Sequence, residues 1–203
     1  MESSRGPGQR AGLTRDGILE AASVLLAERG SQGLTMRAVA MELGVAPNAI
    51  YSHIAGKAAL VDGVLDRTLA RIEAPPPDAG LDPVAALHTL MSSTYEVLLA
   101  NAGLVPVYLA RQGANGANAR RLGDVMLAHL AAAGVKDAAA REALRVLIVY
   151  TIGFAAFTTG RPAEAGDEAE TDAVGPLPPA ELHTNFDSGL RWLLAGITSA
   201  PAG

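Results

Sequence analysis

The chain has 203 residues, 49% of them apolar, a net charge of −5 and no cysteine. A disulfide framework, a thiolate nucleophile and a thiolate metal site are therefore excluded. No run approaches the roughly 18 uninterrupted apolar residues of a membrane span, and the opening MESSRGPGQRAG lacks the apolar core of a secretory signal. The expected class is a soluble cytoplasmic protein, with one sizeable core or a small domain joined to a larger one.

The acidic balance does not exclude a nucleic-acid partner, because the charge is uneven. Residues 1–73 hold eight Lys/Arg and eight Asp/Glu, whereas residues 74–203 hold eight and thirteen. The first part is neutral and begins with a tail over 1–12, expected to be disordered, that carries Arg5 and Arg10. Such a distribution permits DNA binding without demanding it.

Helical periodicity dominates the chain. Ile18, Ala21, Ala22, Leu25 and Leu26 draw one apolar stripe on a helix from about Thr14 to Glu28, with Gly30 as its stop. Thr35 can cap a short helix over 36–43 that buries Val39, Ala40 and Leu43. Gly44 permits a sharp turn, and Pro47 suits the first turn of the next helix, 47–53. A fourth helix opens at Lys57, with Leu60, Val61, Val64, Leu65, Thr68, Leu69 and Ile72 inward. The proline-rich segment 74–82 marks the expected boundary between a domain over 13–73 and a larger one over 82–200.

In the larger domain, Asp82-Pro83 starts a helix to about Ala100. A short helix is expected around Pro106–Gln112 and another over 117–133, ending at Gly134. The segment 137–159 is apolar on two sides, which implies a helix between two partners. Its sides read as Leu144, Leu147, Ile148, Thr151, Ile152 and Ala155, and as Val146, Val149, Tyr150, Phe154 and Phe157. Residues 161–181, with six acids and four prolines, read as a mobile loop. The last helix, 182–199, carries Phe186, Leu190, Leu193, Leu194 and Ile197 on one stripe. The expected fold class is all-α.

The two short helices around Gly44 have helix-turn-helix proportions, although ordinary helical corners look the same. The second helix tips the balance. Ala46, Pro47, Asn48 and Ala49 lie at its N-terminal end, which meets base edges when such a helix enters the major groove. Asn pairs with adenine through two hydrogen bonds, and an alanine methyl packs on a thymine methyl. Tyr51, Ser52 and His53 supply donors for phosphate oxygens. Lys57 brings a cation to the start of the next helix, where free N–H groups favour an anion. Thr35 and Arg37, at the start of the preceding helix, complete the set, with Arg37 in reach of the same groove.

The stretch LTMRAVAMELGVAPNAIYSHIAGKAALVDGVL (34–65) resembles the DNA-binding domain of the TetR (tetracycline repressor) family. Shared features are the L-T-x-R-x-[LV]-A-x-x-L-G-V start, the aromatic-x-His at Tyr51–His53, and Lys57 followed by Ala-Leu-type residues. LTRDGILEAASVLLAERG (13–30) is similar to that family's first helix, and HTNFDSGLRWLLAGI (183–197) to its larger domain. IAGK (54–57) departs from the bulky residue, Pro or Asn, and Ser that many members place before the lysine. The resemblance implies a homodimer built from the helices near 137–159 and 182–199 of each subunit. It also implies a palindromic double-stranded operator, read by two helices about 34–36 Å apart. A small-molecule effector of unknown identity would release the DNA.

Polar candidates for an effector pocket are His88, Tyr95, Tyr108, His129 and Tyr150, beside the apolar Met91, Met126 and Phe154. Each has a plainer reading as core or surface. The drug- and magnesium-binding residues of tetracycline repressors have no counterparts to carry over, so no metal or other cofactor is expected. An enzyme is the rival reading, but the four histidines form no HExxH or HxH pattern and there is no GxSxG. A helical ligand-binding protein without DNA binding is the other rival.

Overall fold

The computed structural model describes residues 12–111, 113–160 and 179–199. The tail over 1–11, Gln112 and most of the expected acidic loop (161–178) lie outside them. All regular structure among the described residues is helical. The chain divides into two compact units between Val64 and Leu65.

The first unit opens with α1 (Arg15–Gly33), whose N-cap Thr14 accepts a hydrogen bond from the Gly17 N–H at 3.1 Å. The stripe Ile18, Ala21, Ala22, Leu25 and Leu26 is buried. Gly30 takes φ 66°, and the chain kinks there and resumes helix to Gly33, where the sequence suggested a stop. α2 (Met36–Glu42) is capped by Thr35, whose Oγ1 accepts from the Ala38 N–H at 3.0 Å. α3 (Pro47–Tyr51) is two residues shorter than expected. α4 (Lys57–Leu69) starts in this unit and closes the small core with Leu60, Val61 and Val64.

The second unit contains the end of α4, then α5 (Pro83–Leu99), α6 (Val105–Ala110), α7 (Ala117–Ala132), α8 (Asp137–Thr159) and α9 (Pro179–Ser199). Asp82 caps α5 by accepting from the Ala85 N–H at 2.8 Å. A 3-10 turn (Ala102–Leu104) runs straight into α6, which therefore begins one residue before the expected helix. The units divide within α4, earlier than the proline-rich segment; Pro75 of that segment packs in the second unit, its carbonyl accepting from His129 at 2.8 Å.

α8 is the central helix and packs against α5, α6, α7 and α9. It is long and apolar enough to cross a bilayer by length and composition, and it packs here against these four helices on part of its surface only. Leu147, Thr151 and Ala155 are buried on its inner line. The second side departs from expectation. Tyr150 and Phe154 turn into the chain, where Tyr150 stacks on Phe186 of α9 at 5.4 Å and Phe154 meets Tyr95 of α5 edge-on at 6.0 Å. Val146, Val149 and Phe157 remain outside, the last two 69% and 59% exposed, and Trp192 of α9 is 76% exposed.

Tyr150 also fixes the α8–α9 contact. Its hydroxyl donates to the Phe186 carbonyl at 2.8 Å. The space it crosses is free because residue 189 is glycine: a Cβ there would collide with that hydroxyl.

Candidate DNA-binding face and interior cavity

The turn between α2 and α3 is built by Gly44. At φ 64° it adopts a left-handed conformation that costs glycine little. The Val45 N–H reaches the Ala40 carbonyl at 2.9 Å and the Gly44 N–H reaches Met41 at 3.2 Å. These two bonds close α2 and redirect the chain. α3 is only five residues long and has no side-chain cap. Such a short helix is held by packing rather than by its own hydrogen bonds. Ile50 is fully buried and Ile54, just beyond the helix, is 3% exposed.

With those two side chains inward, Pro47, Asn48, Tyr51, Ser52 and His53 are exposed and Ala49 is half-buried. Thr35, Arg37 and Lys57 are exposed as well. Ser52 Oγ donates to the Ala49 carbonyl at 2.7 Å, which leaves its oxygen as an acceptor. Lys57 Nζ lies 3.4 Å from the Ser31 carbonyl, a long contact that leaves most of the ammonium hydrated. Thr35 combines two places, as an exposed residue and as the cap of α2.

The second unit holds a partly open cavity of about 250 Å³. Leu69 and Ile72 approach it from the end of α4 and its following turn, and Leu90, Met91 and Thr94 from α5. Tyr108 of α6 and the Gly113–Ala114 loop form another wall. Ala119, Leu122, Gly123 and Met126 of α7 face Leu144, Ile148 and Ile152 of α8 across the remainder. None of these side chains is charged. Thr94 Oγ1 donates to the Leu90 carbonyl at 2.8 Å, and the Tyr108 hydroxyl donates to the Leu65 carbonyl at 2.7 Å. Burial first, and then the negative charge of Asp66, push the Tyr108 phenol well above its usual value of 10, so it stays neutral.

Of the eight residues proposed from the sequence for an effector pocket, Met91, Tyr108 and Met126 line this cavity. The other five lie off its walls and have structural partners. His88 Nε2 contacts Asp187 at 2.8 Å, and Asp187 also meets Arg191 at 2.6 Å. His129 is buried against the Pro75 carbonyl. Tyr95 stacks on Phe186 at 4.0 Å and its hydroxyl pairs with Thr158 at 2.9 Å. Tyr150 and Phe154 belong to the same aromatic cluster. Thr94, Ala119 and Leu122 were not singled out by sequence, because nothing in their spacing separates a cavity wall from packed core. Among the described residues, no three His, Asp or Glu side chains gather into a metal site.

A helix-turn-helix unit with an exposed second helix, followed by a helical unit with an apolar cavity, defines the class of one-chain regulatory proteins that pair a DNA-reading part with a ligand-binding part. Comparison with known proteins makes the assignment specific. Residues 18–64 match the model for bacterial regulatory proteins of the tetR family. The chain is 30% identical to the class A tetracycline repressor of transposon 1721 from Escherichia coli, over 80% of this chain and 74% of that protein. It is 42% identical to the HTH-type transcriptional repressor DrrR1 of Streptomyces coeruleorubidus over 72 residues, 36% of this chain but only 26% of that repressor. Its match to KstR2 of Rhodococcus jostii likewise spans 48% of that repressor's length. Apo ActR from Streptomyces coelicolor shares the fold, with a TM-score of 0.80 at 23% identity, over 94% of this chain and 97% of that one. BioQ, solved with its double-stranded DNA operator, aligns with a TM-score of 0.70 at 26% identity, over 93% of this chain and 99% of that one. The chain belongs to the TetR family.

Proposed function

We propose that this protein is a ligand-responsive transcriptional repressor that binds a palindromic operator as a homodimer and is released by a small molecule. The observation that carries the reading is the pair α2–α3. Its tight turn and two buried isoleucines hold a very short helix whose N-terminal Pro47 and Asn48 are free to meet base edges. Tyr51, His53 and Lys57 are assigned to phosphates, and Ser52 joins them by turning its hydroxyl proton from the Ala49 carbonyl to a phosphate oxygen; Thr35 and Arg37 are assigned to the groove margin and Ala49 to a thymine methyl. BioQ's complex with its operator and ActR's complex with actinorhodin supply precedents on the same fold.

Self-association is supported by Val146, Val149, Phe157 and Trp192, all more than 40% exposed on α8 and α9. Large apolar side chains grouped outside mark an association surface, and a symmetric pair of such surfaces makes a closed dimer. Bound to operator DNA, the protein works in the cytoplasm.

The test is a mobility-shift titration with the intergenic DNA upstream of the protein's own gene at several salt concentrations. Affinity falls steeply as salt rises, because phosphate contacts release counterions. Binding that is indifferent to salt refutes the reading. Sedimentation of the wild type against Trp192→Ser and Val149→Ser tests the dimer, and a monomeric wild type removes that part of the proposal.

A further inference from the structure

We infer that the cavity between α5, α6, α7 and α8 takes an uncharged, mainly apolar molecule of about two fused rings, whose polar group, where it has one, donates a hydrogen bond. The inference rests on the effector-binding reading above and deepens it. Three observations combine.

The first is size. A cavity of 150 Å³ lined by aliphatic and aromatic side chains holds one benzene ring. At about 250 Å³ this one has room for roughly a second ring. It is smaller than the roughly 300–1,000 Å³ of drug-sized pockets.

The second is charge. Burying an ion without a partner is strongly unfavourable, and no lining side chain is ionised. Asp66, the carboxylate whose charge acts on Tyr108, is already engaged. Its Oδ1 accepts from the Asn118 and Ala119 N–H groups at 2.9 and 3.0 Å at the start of α7. The carboxylate sits against Gly116, where a Cβ would collide with it.

The third is the direction of the hydrogen bonds. The Thr94 and Tyr108 hydroxyl protons both go to backbone carbonyls, and the Gly113 N–H goes to the Tyr108 carbonyl at 3.0 Å. Each hydroxyl oxygen keeps a lone pair. The side chains of the wall therefore offer acceptors and no free donor, so a ligand hydroxyl or N–H is matched and a carboxylate is not.

The full-length protein is titrated calorimetrically with naphthalene, 2-naphthol, 2-naphthoate and 2-naphthylmethylammonium. The two neutral probes bind one per chain, and the two ions bind at least about 100-fold more weakly. 2-Naphthol binds more tightly than naphthalene, and Thr94→Val with Tyr108→Phe removes that advantage without weakening naphthalene. Ala119→Leu and, as a second filling variant, Ile148→Phe abolish binding of both neutral probes. No naphthalene binding, equal binding of either ion, or binding untouched by both filling variants overturns the inference. Operator affinity of the same preparations separates the two claims. A protein that ignores DNA but takes 2-naphthol in this cavity loses the regulator reading alone; one that binds operator but refuses the neutral probes loses the cavity assignment alone.

Discussion

The two units solve opposite problems with packed helices. The first turns the residues proposed for DNA outward: α3 buries only what is needed to hold it, and Asn48, Tyr51 and His53 are left in solvent. The second turns its proposed ligand surface inward, where Leu69, Met91, Leu122 and Ile148 line a space that none of them fills. An outward site is made by polar residues at positions that the helix period leaves exposed. An inward site is made by a gap, and a gap is a property of five helices at once.

This contrast yields four tests, in falling order of effect. Ile50→Ala removes the anchor of α3 and costs about 2–5 kcal/mol of stability, read as a lower urea midpoint for the first unit. Operator binding disappears while 2-naphthol binding stays, and loss of both would show that the two sites are not separable. Asn48→Ala touches no core contact. It weakens specific operator binding by about 1–3 kcal/mol and relaxes preference at one base position, measured on a panel of operator variants.

Tyr108→Phe deletes a buried hydrogen bond and costs about 1 kcal/mol at pH 7. It also changes the alkaline limb of the stability profile. A phenol raised by burial gives no pH-dependent stability below its unfolded value near 10. Above that pH the unfolded phenol ionises while the folded one does not, so stability falls by up to about 1.4 kcal/mol per pH unit. Tyr108→Phe makes that limb shallower between pH 10 and 11, and an unchanged slope contradicts the buried neutral phenol. Lys57→Ala has the mildest effect. It lowers affinity for all DNA sequences alike and reduces the salt slope by about 1; a sequence-selective loss would contradict a phosphate role.

The same contrast explains what could be read in advance. The stripe Ile18–Leu26, the caps Thr35 and Asp82, the turn at Gly44 and the end of α7 at Gly134 depend on neighbours a few residues apart, so they were legible. The residues assigned to DNA are exposed for the same local reason, apart from the half-buried Ala49. The cavity was legible only at Met91, Tyr108 and Met126. His88 was open between a pocket and a plainer role, and its partner Asp187, 99 positions away, is beyond the reach of local spacing. Tyr150 and Phe154 could be read either as pocket lining or as the second side of α8, and only Phe186 of α9 packed against them decides their place. Leu69 read as ordinary core and is a cavity wall, because the packing of α5, α7 and α8 stops short of it.

The missing side chain at Gly189 bears on how two copies meet. The Tyr150 hydroxyl bridges from α8 to the Phe186 carbonyl through that notch, so a bond inside one chain sets the spacing of the two helices. Val149 and Phe157 of α8 and Trp192 of α9 are exposed on the same two helices. In the proposed dimer, that preset spacing would leave less to order on association. Gly189→Ala would spread the pair from within, and its mark would be a weaker dimer in a chain whose outer surface is unaltered.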